Sequence, residues 1–236
     1  MMELLIVAIT WILPYFTMAI FFGGVAYNSI NWLLHPMSVK WALYPAPASQ
    51  VGRFKSLFLE VFTLQSLSRG SKQVWIGALS FHGALALIIV GHIRVVAAYP
   101  DYLMNQAGIT SIDTLSLIAG GAAGVTIVLA TFYLLLRRLS LPYVREISDA
   151  SDYVDILLLM AVFLSGDYMR FFSHITLDDT RAFFMSLASF APIPPPGDPA
   201  FILHFFLGQI FLIYLPFSKV MHFIGQLINQ KIAVTT

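Results

Sequence analysis

Four of the chain's six histidines, His82, His92, His204 and His222, lie among apolar residues rather than in polar connections. His204 and His222 are eighteen positions apart. That is five turns at about 3.6 residues per turn, so on an unbroken helix both imidazoles leave from one face. His82 and His92 are ten positions apart, about 15 Å of rise and about 80° of rotation. Eighteen residues rise about 27 Å, so the two spacings do not match on ideal helices. Helix tilt, tilted planes of a group bound between the imidazoles, and a kink at Pro216 are ways to close the difference. An imidazole in such surroundings is costly without a partner, and two on one segment ask for two on another.

The elements that carry them come from composition. Of 236 residues 58% are hydrophobic and 11% charged, against about a quarter charged in soluble domains. Mean hydropathy is +0.81. These values predict a polytopic membrane protein, a single all-α domain over residues 1–236. A net charge of +1 gives no sign of nucleic-acid binding. With no cysteine, disulfides, Cys-ligated iron–sulfur clusters and covalently attached c-type haem are excluded.

Five spans are expected, at about 4–34, 73–93, 114–136, 153–172 and 199–226. The first has no basic leader or small-residue cleavage site and reads as a retained helix, with Pro14 a candidate kink. The fourth is the weakest, because only eleven residues separate Asp155 from Asp167. The fifth contains twenty uncharged residues between Asp198 and Lys219. Between the first two spans, Phe54, Leu57, Phe58, Val61 and Leu64 keep helical spacing beside basic residues. That pattern fits a helix in the interface plane or a docking surface for a partner. Ala119-Gly-Gly-Ala-Ala-Gly124 spaces Gly120 and Gly124 as in GxxxG, either for close helix approach or to make room for a flat macrocycle. Arg181 to Phe190 reads as a short helix before a proline-rich stretch.

Orientation follows from the basic residues. With the N-terminus outside, the cytoplasmic connections and tail hold ten Lys and Arg; Arg94, Arg170 and Arg181 remain on the other side. The second span then runs outwards and the fifth inwards. His82 meets His222 near the cytoplasmic face, and His92 meets His204 near the outer face. Two axial imidazoles across a helical bundle are the ligation of a b-type haem suited to electron transfer, so two stacked haems are expected. The competing reading is a cofactor-free membrane subunit or transporter whose histidines relay protons. His35 and His174, outside the spans, are read as interfacial residues.

Several stretches carry a resemblance. Phe81-His82 with Gly91-His92, Ala119–Gly124, Leu135-Leu-Arg-Arg138, and Leu203-His204 with Pro216-Phe-Ser-Lys-Val-Met-His222 resemble the gamma-subunit family of respiratory nitrate reductase. Ser66–Lys72, Asp152-Tyr153 and Tyr168-Met-Arg-Phe171 are similar to one branch, the cytochrome b subunit of the sulfite-reductase-associated, heterodisulfide-reductase-like membrane complex. The resemblance implies a five-helix di-haem cytochrome b in the cytoplasmic membrane. It also implies exchange of electrons with a menaquinone-type pool and with a cytoplasmic iron–sulfur partner, as the quinone-reactive part of a multi-subunit oxidoreductase. Gamma subunits of nitrate reductase have a quinol-site lysine at the head of the third helix, where this chain has Ile112-Asp113-Thr114. Gly91, Arg94, Asp113 and Arg170 are therefore the quinone-site candidates on chemical grounds.

Overall fold

The computed structural model of the chain describes residues 2–35, 49–109, 111–225 and 228. The stretch carrying Lys40, Pro45 and Pro47, and the tail with Lys231, lie outside the described residues. Within them the secondary structure is helical throughout. Four helical stretches there are long and apolar enough to cross a membrane: Glu3–Leu34, Lys72–Val96, Ile112–Ser140 and Pro199–Phe217.

The first stretch is α1 (Met2–Val7), a π-helical turn (Ala8–Ile12) and α2 (Leu13–Leu34). Pro14 has no N–H to give the carbonyl one turn back. The helix widens just before it, and Leu13 N–H donates to Ala8 O, five residues away. Short helices follow, α3 (Gln50–Thr63) capped by Ser49 and α4 (Gln65–Gly70). They are separated by Leu64 in a left-handed conformation. Val51, Phe54, Phe58, Val61 and Phe62 of α3 are exposed.

α5 (Lys72–Val96) is one unbroken 25-residue helix whose Ser71 cap accepts from Val74 N–H. α6 (Tyr99–Gln106) leads to α7 (Ile112–Ser140), which ends in Arg137 and Arg138, cations suited to a helix C-terminus. α8 (Pro142–Glu146) turns the chain into α9 (Ala150–Phe172). A capping box starts α9: Asp149 accepts from Ser151 and Asp152 N–H, and Asp152 accepts from Asp149 N–H. This 23-residue helix is long enough to span, but Asp152, Asp155, Asp167 and Arg170 make it less apolar than the four above. α10 (Leu177–Ala188) overlaps the stretch expected to hold a short helix, starting before Arg181 and ending before Phe190. α11 (Pro199–Tyr214) starts on an Asp198 cap.

The last helix does not run unbroken to 226. α11 stops at Tyr214, a 3-10 turn covers Leu215–Phe217, Ser218 is extended, and a second 3-10 turn covers Lys219–Met221. The five-turn, same-face argument for His204 and His222 therefore does not hold.

Packing runs α5 on α7, α7 on α9, α9 on α11 and α11 on α2. Ala84, Ala123, Ile127 and Phe163 knit α5, α7 and α9 together. Phe183, Leu187 and Phe201, with Tyr15 and Phe205, tie α10 to α11 and α2. The small residues of α7 receive α9. A Cβ on Gly120 would stand 2.7 Å from Arg170 Nη2, one on Gly121 3.6 Å from Phe171, and one on Gly124 would collide with the Asp167 carboxylate. Of the two readings of this stripe, close helix approach is the arrangement present.

Candidate functional site

The histidines of α5 face His204 of α11 and His222, which follows the second 3-10 turn. The ring centroids of His82 and His222 are 6.1 Å apart, and those of His92 and His204 are 6.3 Å apart. Both partners on α5 lie on an unbroken helix, so the pairs are separated along it by about 15 Å. The break after Tyr214 is what lets His222 match that spacing in place of the about 27 Å of a continuous helix.

That break is held from two sides. Pro216 rests against α2 at Gly24, where an added Cβ would be 2.6 Å from the proline ring. Asn28 Nδ2 donates to Pro216 O at 2.8 Å and to Gly24 O at 3.1 Å. On the other side Lys219 Nζ reaches Asp149 at 2.8 Å and Asp152 at 3.0 Å. The Asp149 carboxyl is held well below the ordinary carboxylate range by its hydrogen bond to Lys219 and then by Ser151. Lys219 is raised above the ordinary lysine value by Asp149 and Asp152.

Each of the four imidazoles has its Nδ1 in use. His82 Nδ1 donates to Ala78 O at 2.8 Å, His92 Nδ1 to Ile88 O at 2.7 Å and His222 Nδ1 to Lys219 O at 3.1 Å. His204 Nδ1 is 3.0 Å from Ser165 Oγ, and Ser165 gives its own proton to Val162 O at 2.9 Å. Gly166 makes room, because a Cβ there would be 3.0 Å from the His204 ring. A bonded Nδ1–H leaves Nε2 as the free lone pair, and metal-binding histidines are fixed in this way.

The donor sets can be tested against a metal. A metal–nitrogen bond is about 2.0–2.1 Å, so two Nε2 atoms on one metal put the ring centroids about 6 Å apart. Both pairs meet that spacing. No group of three His, Asp or Glu able to cage a metal is found among the described residues. A metal held here would take two protein ligands and leave its remaining positions to other donors, and a macrocycle in those positions would complete the donor set of a bis-histidine haem.

Of the quinone-site candidates, Arg94 and Asp113 are joined, and Arg170 lies within electrostatic reach of Arg94. Arg94 pairs with Asp101 and Asp113, both at 2.6 Å, and Arg181 pairs with Asp101 at 2.9 Å and also donates to Arg94 O. Burial pushes the Asp101 carboxyl up, but its hydrogen bonds to Arg94 and Arg181 outweigh that and hold it below the ordinary range. Arg170 turns onto α7, where Nη2 donates to Ser116 O. Its Nε finds no partner among the described residues. Gly91 is exposed, with nothing near the position of a Cβ. His35 closes α2, its Nδ1 on Asn31 O at 3.2 Å. His174 lines an open groove of about 480 Å³ with Asp179 and Asp198.

Sequence reasoning missed Ser165, Gly166 and Asn28. A Ser-Gly pair inside an apolar helix is visible as a pattern, but nothing local says that it faces a histidine 39 positions away.

A family model described as nitrate reductase gamma subunit matches residues 46–229. The chain is 28% identical over an alignment of 250 residues to the "Hdr-like menaquinol oxidoreductase cytochrome b-like subunit" of Archaeoglobus fulgidus, covering 89% of this chain and 74% of that one. It is 28% identical over 260 residues to the protein of the same name from Archaeoglobus profundus, covering 92% and 76%. With that match over most of its length and a multi-pass array of apolar helices, the chain belongs to the nitrate reductase gamma-subunit family.

Proposed function

We propose that this chain is a di-haem cytochrome b that passes electrons between a menaquinone-type pool and a cytoplasmic iron–sulfur partner. The observation that carries the reading is the pair of imidazole couples, 6.1 and 6.3 Å between centroids, each ring with Nδ1 already bonded. A bare proton relay has no need of two separate imidazole couples, each at the centroid spacing of two ligands on one metal. The names of the archaeal relatives, cytochrome b-like subunits of a menaquinol oxidoreductase, support a quinol-linked complex.

In this reading α9 is the remaining span of a five-helix bundle in the cytoplasmic membrane, with the N-terminus outside and the C-terminus inside. His82 with His222 would hold the inner haem, and His92 with His204 the outer one. When bound, such a haem supplies one-electron iron chemistry with no coordination position open to substrate. The carbonyls of Ala78, Ile88 and Lys219 and the Ser165 hydroxyl engage Nδ1 and would leave Nε2 for the metal. Quinol would be oxidised at the His92–His204 end, with Gly91, Arg94, Asp113 and Arg170 as the candidate residues around it. Arg94 is fixed by Asp101 and Asp113, so it orients rather than titrates. The basic loops and the tail around His82 and His222 would receive the iron–sulfur partner.

Pyridine haemochrome analysis with protein quantification tests the reading, and two non-covalent b haems per chain are expected. His222→Ala should keep one haem reducible by quinol but fail to deliver electrons to the partner. His204→Ala should keep a haem that the partner reaches and quinol reduces slowly. One haem or none in the unaltered chain would overturn the two-haem assignment.

A further inference from the structure

α3 turns its apolar side away from the protein. Val51, Phe54, Phe58, Val61 and Phe62 fall within about 100° of arc at 3.6 residues per turn, and all five are exposed. Phe58 and Phe62 pack on each other with ring centroids 4.5 Å apart. Glu60 lies on the opposite side of the helix and is turned onto α4, where it accepts from Ser66 N–H at 2.9 Å and from the Ser66 hydroxyl. An amphipathic helix on a water-soluble protein does the reverse, burying its apolar stripe and exposing its charges.

The depth of α3 is set by α5. Only Leu64, α4 and Ser71 separate it from Lys72, where that apolar helix starts. Trp75, in the first turn of α5, donates from Nε1 to the carbonyl of Thr63, the last residue of α3, across 2.7 Å. Tryptophan at a span end belongs to the membrane–water boundary, so the C-terminal end of α3 is pinned at the level where α5 enters the bilayer. A protein partner approaches from the water beyond that level. Charge agrees with a lipid surface: from Gln50 to Lys72 the chain holds Arg53, Lys55, Arg69 and Lys72 against Glu60 alone. Lys55 sits at the edge of the apolar stripe, where its stem can lie along acyl chains while the ammonium reaches the headgroups.

We propose that α3 lies in the plane of the membrane surface, its apolar stripe seated among the acyl chains of the leaflet at the Lys72 end of α5, with Arg53 and Lys55 drawing anionic lipid headgroups to it. The occupant of the stripe is lipid, and a partner subunit is left α4 and the aqueous side of this segment. The proposal needs only that α5 crosses the bilayer, so it stands or falls apart from the haem reading above.

The chain has no cysteine, so one introduced thiol carries one bimane fluorophore. The whole chain is placed in lipid nanodiscs of phosphatidylcholine, with or without phosphatidylglycerol. It is labelled in turn at Phe58→Cys, at Val51→Cys, at Ser56→Cys on the opposite side of α3, and at Leu87→Cys on the exposed side of α5. Quenching by nitroxides on the acyl chains is compared with quenching by acrylamide in the water. Phe58→Cys and Val51→Cys are expected to follow Leu87→Cys and be quenched by the nitroxides, and Ser56→Cys to be quenched by acrylamide. Lys55→Gln combined with Phe58→Cys is expected to weaken attachment about fivefold in discs with phosphatidylglycerol and to change nothing in phosphatidylcholine alone. Acrylamide quenching at both Phe58→Cys and Val51→Cys, with Leu87→Cys still quenched by the nitroxides, overturns the proposal and leaves the stripe to a protein partner. Nitroxide quenching that ignores both phosphatidylglycerol and Lys55→Gln overturns the role given to anionic headgroups.

Discussion

Ser165 Oγ lies 3.0 Å from His204 Nδ1 and 2.9 Å from Val162 O, so the hydroxyl can give its proton to the carbonyl while accepting from the imidazole. One hydroxyl on α9 thus holds the ring of a histidine on α11 by its Nδ1 edge.

Ser165→Ala should therefore weaken the His92–His204 end alone. Losing an orienting partner of a metal-binding histidine costs about 10–100-fold in affinity. Titration of the haem-free protein with haem is expected to show one site loosened and the His82–His222 site unchanged. Equal loosening of both sites would mean that Ser165 acts on the whole bundle.

Gly23 and Gly24 differ by one position and should differ in sign. A Cβ on Gly23 meets nothing within 4 Å, whereas one on Gly24 stands 2.6 Å from the Pro216 ring. Gly23→Ala should be neutral or stabilising by up to about 1 kcal/mol through helix propensity. Gly24→Ala should destabilise by about 1–3 kcal/mol through overpacking. Because the proline carries the break before His222, the di-haem reading expects thermal release of haem in Gly24→Ala first from the His82–His222 end. Spectra followed through a melt check this.

Gly124→Ala should separate α7 from α9, since the Asp167 carboxylate occupies the position of the new methyl. A loss of about 1–3 kcal/mol is expected, read as a lower melting midpoint. Gly208→Ala, where nothing lies within 4 Å, is the matched control.

The Lys219–Asp149 tie gives a pH signature. Asp149 is depressed in the folded chain and Lys219 is raised. The aspartate contribution is present above its unfolded value of about 4 and is lost as pH falls through the folded one. The lysine contribution is complete below its unfolded value of about 10.4 and is lost as pH rises through the folded one. The stability difference between the unaltered chain and Lys219→Gln should be flat from about pH 5 to 9 and shrink on either side. A difference that does not change with pH would show that Lys219 acts through packing and not through charge.

The helical class and the membrane character were legible because they depend on local quantities. Runs of apolar residues, and the charges such as Asp198 and Lys219 that bound them, need no distant partner to be recognised. The depth pairing of His82 with His222 and His92 with His204 also followed from the direction of successive spans.

Tertiary structure decided what periodicity misjudged. The sequence treats 199–226 as one helix, and on such a helix the histidine spacings of the two segments disagree. The chain resolves this by leaving the helix at Tyr214, a break stabilised by Gly24 and Asn28 almost two hundred positions earlier. The same holds for the glycines of α7, which show that something approaches closely but not that it is Asp167 and Arg170. Arg94 and Asp113 likewise looked free to act on a ligand, and the fold joins them to each other with Asp101 and Arg181. A sequence lists which groups are present at each depth. Which groups satisfy one another depends on how the helices are rotated, and that is settled by packing between residues far apart in the chain.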